Sequence, residues 1–94
     1  RGFEDKSGSV MTALYRISDT DVEAAEFILH ENTPHLGIPL KDLEIRKGFL
    51  IVALLHENQV VVPSGGTVLS PGDRVIVISH GQGIQTFRDI FLKP

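Results

Sequence analysis

The arrangement of apolar residues in the second half of the chain predicts a series of short strands. The longest apolar run, Phe49 to Leu55, is continuous over seven residues, a pattern typical of a strand that is buried on both faces. After a polar turn, Val60 to Pro63 predicts an antiparallel partner strand that ends at a residue without an N–H donor. Arg74 to Ile78 predicts a further strand. We therefore expect Phe49 to Leu55 at the centre of the sheet.

Two other segments predict short helices. The segment from Gly37 to Leu43 contains Pro39, which suits the first turn of a helix. In the segment from Ile84 to Leu92, the apolar residues recur at i, i+3 and i+7 and so form one face that can cover the sheet.

The first part of the chain gives conflicting signals. Thr20 and Glu23 have the spacing of a capping box and the following Ala-Ala-Glu favours a helix, whereas Phe27 to Leu29 favours a strand. The eight residues from Val22 to Leu29 are too few for periodicity to decide between the two. Val10 to Ile17 shows a mixed pattern and ends at a polar cluster that is typical of a turn.

One turn has a clear sequence signature, and with the predicted strands and helices it indicates the fold class. The segment from Ser70 to Asp73 has proline and then glycine at its two central positions, as a type II turn requires. Strands joined by short turns, with two short helices, predict an α+β fold. We expect two layers: a small, mostly antiparallel sheet with the short helices on one face.

Composition and charge narrow the class of protein further. The 94 residues suffice for one domain, and we interpret residues 1–9 as a linker or tag remnant and residues 10–94 as the domain itself. The net charge is −3 without a basic cluster, so nucleic acid is not an expected partner. The chain has no cysteine, which excludes disulfides and thiolate metal sites. No apolar run approaches the roughly 20 residues of a membrane-spanning helix.

Candidate catalytic and metal-binding residues are better explained by turn geometry. Asp73 is expected to accept backbone N–H groups of its own turn rather than to act as a catalytic acid. The pairs Gly65-Gly66 and Gly81-Gln82-Gly83 do not continue as phosphate-binding motifs. The four histidines lie in or beside predicted turns, and we interpret them as loop residues without metal: His30, His35, His56 and His80. Since no nucleophile, base and orienting group can be assembled, we do not expect an enzyme.

Four stretches in this order and spacing resemble a known domain family, the TrkA C-terminal (RCK_C) domain. The resemblance covers roughly residues 10–92, and its most specific part is a Pro-Gly-Asp turn placed between two short strands after a Val-Pro strand end. The matching stretches are Gly37 to Ile45, Phe49 to Leu54, Val60 to Thr67 and Ser70 to Ile78.

This resemblance implies a fold, a function and a set of partners. It implies that Val22 to Leu29 is a strand and that the domain forms a homodimer. In relatives of this family, the domain follows a Rossmann nucleotide-binding domain and docks on a membrane potassium transporter subunit from the cytoplasmic side. The expected function is therefore a regulatory, ligand-sensing and dimerisation domain of a Trk-type potassium uptake system. The alternative is a dimerisation or docking platform without a ligand, or the same module of another transporter or antiporter.

The resemblance also indicates candidate ligand-binding residues. Some relatives bind cyclic di-AMP between two such domains, and Ile45, Arg46 and Pro63 match positions that these relatives use. Arg46 would supply the charge, while Ile45 and Pro63 would supply an apolar wall. Leu50 stands where those relatives have asparagine. We expect no cofactor in this domain beyond a possible small-molecule effector, of which cyclic di-AMP is one candidate.

Overall fold

A single antiparallel sheet organises the chain. The computed structural model describes residues 3–4 and 8–92. In this part of the chain the sheet has six strands: β1 (Phe3–Glu4), β2 (Ser9–Arg16), β3 (Val22–Leu29), β4 (Phe49–His56), β5 (Gln59–Val61) and β6 (Arg74–His80). Their order across the sheet is β1-β2-β3-β6-β4-β5, so the last strand in sequence inserts between β3 and β4. Among the described helices, none is long and apolar enough to cross a membrane.

The two central strands explain which face of the sheet carries the core. In β3, Ala25, Phe27 and Leu29 are buried, and the residues between them are partly exposed. In β6, Val75 and Val77 show the same alternation and pair with Phe27 and Ala25 in the antiparallel register. Side chains with a period of two therefore point to one covered face, as expected of a sheet with one solvated side.

The ambiguous segment from Val22 to Leu29 is a strand, as the family resemblance implied. It is paired on both sides, by β2 and by β6, and these long-range contacts outweigh its helical propensity. Thr20 does not cap a helix. Its hydroxyl accepts the Val22 N–H at 3.1 Å and donates to the Ile17 carbonyl at 2.8 Å, which closes the turn before the strand.

The prediction that Phe49 to Leu55 lies at the centre of the sheet is wrong. This segment is β4, next to the short edge strand β5, and the side chain of Leu50 is 62% exposed. An irregularity between Ile51 and Ala53 shifts the register, so Ile51 and Leu54 both reach the covered face. The run is continuously apolar because both faces of β4 carry apolar residues; on the opposite face Leu50 is exposed, whereas Val52 and Leu55 are half-buried.

The covering layer contains less helix than the sequence predicted. It has only two 3₁₀ helices in the described residues, Leu40–Asp42 and Phe87–Ile90, so the fold is a small antiparallel sheet with few helices on one face. Neighbouring segments compete for the backbone groups that a longer helix would use. The Leu40 and Lys41 N–H groups donate to carbonyls of residues 65–67, and the Arg46 N–H donates to the Ile90 carbonyl.

Aromatic side chains fill the space between the sheet and this covering layer. The ring of Phe27 on β3 lies 5.7 Å from that of Phe87, which in turn makes an edge-on contact with Phe91 at 5.3 Å. Phe27 and Phe87 are fully buried, together with Leu69 and Ile90 from the connecting segments. The core is thus closed by residues from irregular segments rather than by a long helix.

Part of the predicted linker belongs to the sheet. Phe3 and Glu4 pair with Met11 and Val10, and Ser9 is the buried first residue of β2. The ordered sheet therefore extends into residues 1–9, while the position of the domain boundary stays a prediction.

Two buried hydroxyl groups allow a paired test of the polar interior. Within the described residues, the hydroxyl of Ser79 is buried without a hydrogen-bond partner, whereas the Thr33 hydroxyl donates to the Gly8 carbonyl at 2.7 Å and accepts the His30 N–H at 2.9 Å. We expect Ser79→Ala to raise the free energy of unfolding by about 0.5–1 kcal/mol because it removes an unsatisfied group. Thr33→Val should lower it by about 1–3 kcal/mol. Both are measured by urea denaturation, and destabilisation by Ser79→Ala would contradict the assignment.

Candidate functional site

The structure brings two of the three sequence-predicted site residues together. Ile45 and Pro63 line one open groove of about 280 Å³, located where the chain leaves β5 and diverges from β4. Apolar side chains form most of its surface. The complete lining is Leu40, Lys41, Ile45, Leu50, Ile51, Pro63, Ser64 and Gly65.

Backbone contacts hold the two walls of the groove in place. The Lys41 N–H donates to the Gly65 carbonyl at 2.9 Å, so the 3₁₀ helix is fixed to the segment that follows Pro63. Gly65 also permits a close approach, because a Cβ atom at this position would lie 3.2 Å from the Cβ of Lys41. On the other wall, Ile45 forms an isolated bridge with Phe91 near the end of the described chain.

Arg46 has a different environment from Ile45 and Pro63 and is not among the residues that line the groove. Its guanidinium donates one hydrogen bond to the Asp89 carbonyl at 2.9 Å and another to Oε1 of Gln82 at 2.6 Å. The same group lies 5.5 Å from the ring centroid of Phe49. Gln82 in turn donates to the Lys47 carbonyl at 3.0 Å. Arg46 thus connects the start of β4 to the last covering segment, and its role as a ligand residue stays a prediction.

Lys41 is the positively charged side chain that the groove does contain. It is exposed, and it lies next to Gly65 in the groove lining. Sequence reasoning passed over Lys41 because a single lysine in a short helix has no distinguishing signal. Lys41 therefore adds one positive charge to a lining that is otherwise mostly apolar.

The size of the groove limits what one chain can hold. Sites for small molecules usually enclose about 300–1,000 Å³ and bury most of the ligand. A volume of about 280 Å³ that is open along one side lies just below this range. One chain therefore forms an open groove rather than an enclosed pocket.

A second polar contact lies at the opposite end of β4. Nδ1 of His56 is 2.6 Å from Oδ1 of Asp73, whose side chain is only 3% exposed, and Oδ2 of Asp73 accepts the Ser70 N–H at 2.9 Å. The hydrogen bond with Asp73 and then the charge of Asp73 raise the pKa of the His56 imidazole above 6.5. Burial opposes this rise and the Glu57 carboxylate adds to it.

These contacts refine the interpretation of Asp73 and correct that of the histidines. The prediction that Asp73 accepts a backbone donor of its own turn is confirmed by the Ser70 contact. The interpretation of all four histidines as loop residues is wrong for His56 and His80, which are the last residues of β4 and β6. Sequence alone could not pair His56 with Asp73, since the pairing depends on the register between β4 and β6.

Comparison with known proteins gives a consistent family match. The family model for the TrkA-C domain matches residues 24–92. A "Trk system potassium uptake protein TrkA homolog 2" of Methanosarcina mazei is 25% identical over 89% of this chain, and a "Trk system potassium uptake protein TrkA" of Azorhizobium caulinodans is 34% identical over 65%. A "K(+)/H(+) antiporter NhaP2" of Shewanella sp. (strain ANA-3) is 32% identical over 73%. The chain spans only 19%, 13% and 12% of these three relatives.

The contacts of Arg46 predict a measurable structural role. Because its guanidinium donates two hydrogen bonds from a charged group, we expect Arg46→Ala to lower the free energy of unfolding by about 1.5–3 kcal/mol. Lys41→Ala, which removes an exposed side chain, should change it by less than about 0.5 kcal/mol. Urea denaturation of both variants makes the comparison. Equal, small effects would show that the Arg46 contacts contribute nothing to stability.

Proposed function

Because the chain belongs to the TrkA-C domain family, a family of regulatory and not catalytic domains, we propose that it controls potassium transport by pairing with a second copy and sensing a small molecule between the two. The observation that carries this proposal is an exposed apolar edge directly beside the groove. We call it the β4–β5 edge and define it by Leu50, Val60 and Val62, whose side chains are 62%, 76% and 81% exposed.

The β4–β5 edge has the properties of an association surface. Large aliphatic side chains this exposed are uncommon as a group on a small monomeric domain, whereas single ones are ordinary. In addition, β5 pairs only with residues 54–56 of β4, so the outer side of residues 49–53 has no partner strand in the described chain. Unpaired strand edges with apolar side chains favour contact with another chain. A second copy satisfies both requirements by a symmetric contact.

Pairing at this edge would also complete the groove. Leu50 belongs both to the β4–β5 edge and to the groove lining, so a second copy placed there would supply the missing wall. Two Lys41 side chains would then flank an enclosed, largely apolar space. This arrangement suits an anionic molecule with a flat apolar part, such as a nucleotide, and cyclic dinucleotides belong to that class.

Regulation follows if the ligand binds one arrangement of the pair more tightly than another. Differential affinity is the only means by which a ligand shifts such an equilibrium. In the parent protein, we propose that this shift is passed to an attached Rossmann nucleotide-binding domain and from there to a membrane potassium transporter subunit on the cytoplasmic side. The two Trk-system relatives of this chain support the potassium-uptake setting.

A second setting is supported by the antiporter relative. The match to the Shewanella antiporter covers 73% of this chain at 32% identity, which is as close as several of the uptake proteins. In this alternative the same domain would regulate an antiporter, or would serve as a docking platform without a ligand. Potassium fluxes measured in vesicles with the full-length parent protein, with and without this domain, distinguish uptake from proton-coupled exchange.

If two copies associate through the β4–β5 edge, the dimer should depend on protein concentration, and a charged residue introduced at this edge should weaken it. We expect light scattering coupled to size-exclusion chromatography to give twice the mass of one chain. Val62→Asp should weaken the dimer by at least tenfold, because it replaces an apolar side chain worth about 1.5–3 kcal/mol when buried. Val62 lies outside the strands, so the variant should keep its fold.

The matched control lies at the other side of the sheet. Tyr15 on β2 is 67% exposed and does not contact the β4–β5 edge, so Tyr15→Ser should leave the dimer intact. A monomeric wild type at high micromolar concentration would contradict the proposal. A dimer that Tyr15→Ser dissociates and Val62→Asp does not would place the interface elsewhere.

Ligand sensing predicts a thermal shift that depends on Lys41. A panel of adenine and guanine nucleotides and cyclic dinucleotides is tested by thermal unfolding. Binding at about 100 times the dissociation constant stabilises by about 2.7 kcal/mol, which is about 10 °C or more for a domain of this size. Lys41→Ala should reduce the shift. Lys47→Ala, which changes an exposed lysine outside the groove lining, should not.

The outcomes of this screen separate the two forms of the proposal. Lys41 is a better test residue than Arg46, because Arg46→Ala also removes contacts that stabilise the fold. If the folded dimer shows no thermal shift with any of these probes, the result would contradict ligand sensing. It would favour the alternative of a docking platform without a ligand. A shift that Lys41→Ala does not alter would exclude this groove as the binding site.

A further inference from the structure

Asp73 connects three strands at one corner of the sheet. It directly precedes β6, and its carbonyl accepts the Leu29 N–H of β3 at 2.9 Å. Its carboxylate accepts hydrogen bonds from His56 at the end of β4 and from the Ser70 N–H. Since the side chain is almost fully buried, these partners replace the water that would otherwise solvate its charge.

His56 is the one partner of Asp73 that can change its charge near neutral pH. Its side chain is 43% exposed, so protons reach the imidazole from solvent although Asp73 is buried. Other charged groups are close by. On the same hairpin, the Glu57 carboxylate lies 3.7 Å from Nε2 of His56; on β6, Arg74 is directed to Glu26 of β3, with 3.9 Å between Nε and Oε1.

The position of His56 makes its charge relevant to the β4–β5 hairpin. The next two residues, Glu57 and Asn58, both have positive φ angles of 49° and 66° and form the tight turn into β5. Positive φ at both central residues is the type I′ geometry of a two-residue hairpin, for which Asn58 is well suited and Glu57 is the less favourable residue. The hairpin is short, because β5 has only three residues that pair with β4, so a contact at its end contributes a large share of what holds it.

We propose that His56 and Asp73 form a proton-dependent tether that holds the β4–β5 hairpin against the turn from Ser70 to Asp73. The imidazolium form binds the buried carboxylate by charge and hydrogen bond together. The neutral imidazole retains only the hydrogen bond from Nδ1–H, so the hairpin is held less firmly. Proton release thus loosens β5 and the exposed Val60 on it, without any bound ligand.

The sign of the pH effect follows from the direction of the shift. The pKa of His56 is raised in the folded state above its ordinary value of 6.5. The tether's contribution to stability is therefore complete below about pH 6.5 and is lost as the pH rises through the higher folded-state pKa. A low pH strengthens the hairpin, and an alkaline pH weakens it.

The test is an NMR titration of the 94-residue chain from pH 5 to pH 9.5. We expect the His56 ring signals to titrate with a midpoint above 6.5 and the amides of Gln59 and Val60 to shift with the same midpoint. In His56→Gln the fold should remain, because the Ser70 contact of Asp73 is kept, and this amide response should disappear. In Asp73→Asn the His56 midpoint should fall.

Controls separate this tether from other histidines and from self-association. His80→Gln removes the exposed His80–Asp21 pair, whose atoms are 3.2 Å apart, and should leave the amide response of β5 in place. The same titration on Val62→Asp should give the same response of the β5 amides, because His56 and Asp73 belong to one chain; loss of the response in this variant would overturn the proposal. A His56 midpoint at or below 6.5 would overturn the proposal. So would an unchanged response of the β5 amides in His56→Gln.

Discussion

Burial of only one face of the sheet is the constraint on which this structure depends. Alternate residues of β3 and β6 point into a core that irregular segments close, with the Phe27, Phe87 and Phe91 rings at its centre. Because these segments contain so little helix, their backbone N–H and C=O groups must pair with one another or with the sheet. The covering layer is therefore held by many individual contacts between distant parts of the chain.

This way of building the domain also creates its candidate site. Since β5 ends after three residues, the chain separates from β4 and leaves a groove that is lined by Leu50 and Ile51 of β4, by Ile45, and by the 3₁₀ helix with the segment from Pro63 to Gly65. The same separation exposes the β4–β5 edge. Leu50 belongs both to this edge and to the groove lining, so the two features are adjacent. The proposed regulatory role rests on this adjacency, because a second copy at the edge and a molecule in the groove would both contact Leu50.

Charged side chains in this domain hold segments together. Arg46 connects the start of β4 to the last covering segment through Gln82 and the Asp89 carbonyl. Asp73 connects the corner at the other end of β4. Both contacts are partly buried, so the loss of a partner leaves a charged group without its hydrogen bonds. Of these two contacts, the one at Asp73 includes a histidine, His56, whose pKa is raised by the hydrogen bond and the charge of Asp73.

Local sequence was sufficient to predict those strands and turns that are specified by neighbouring residues. The strands at Val60 and Arg74 follow from short apolar runs, and the turn from Ser70 to Asp73 follows from its Pro-Gly pair; Gly72 indeed has a φ of 87°. The family resemblance added the assignment of Val22 to Leu29 as a strand, where helical propensity and strand pattern conflicted.

Long-range contacts determined the rest, because they join residues that sequence patterns treat separately. The insertion of β6 beside β3 moved Phe49 to Leu55 away from the centre of the sheet. Arg46 donates hydrogen bonds to residues 36 and 43 positions further along the chain. His56 forms a hydrogen bond with Asp73, which lies 17 residues away in sequence. A sequence records which side chains can make such contacts. Only strand order and register bring them within hydrogen-bonding distance.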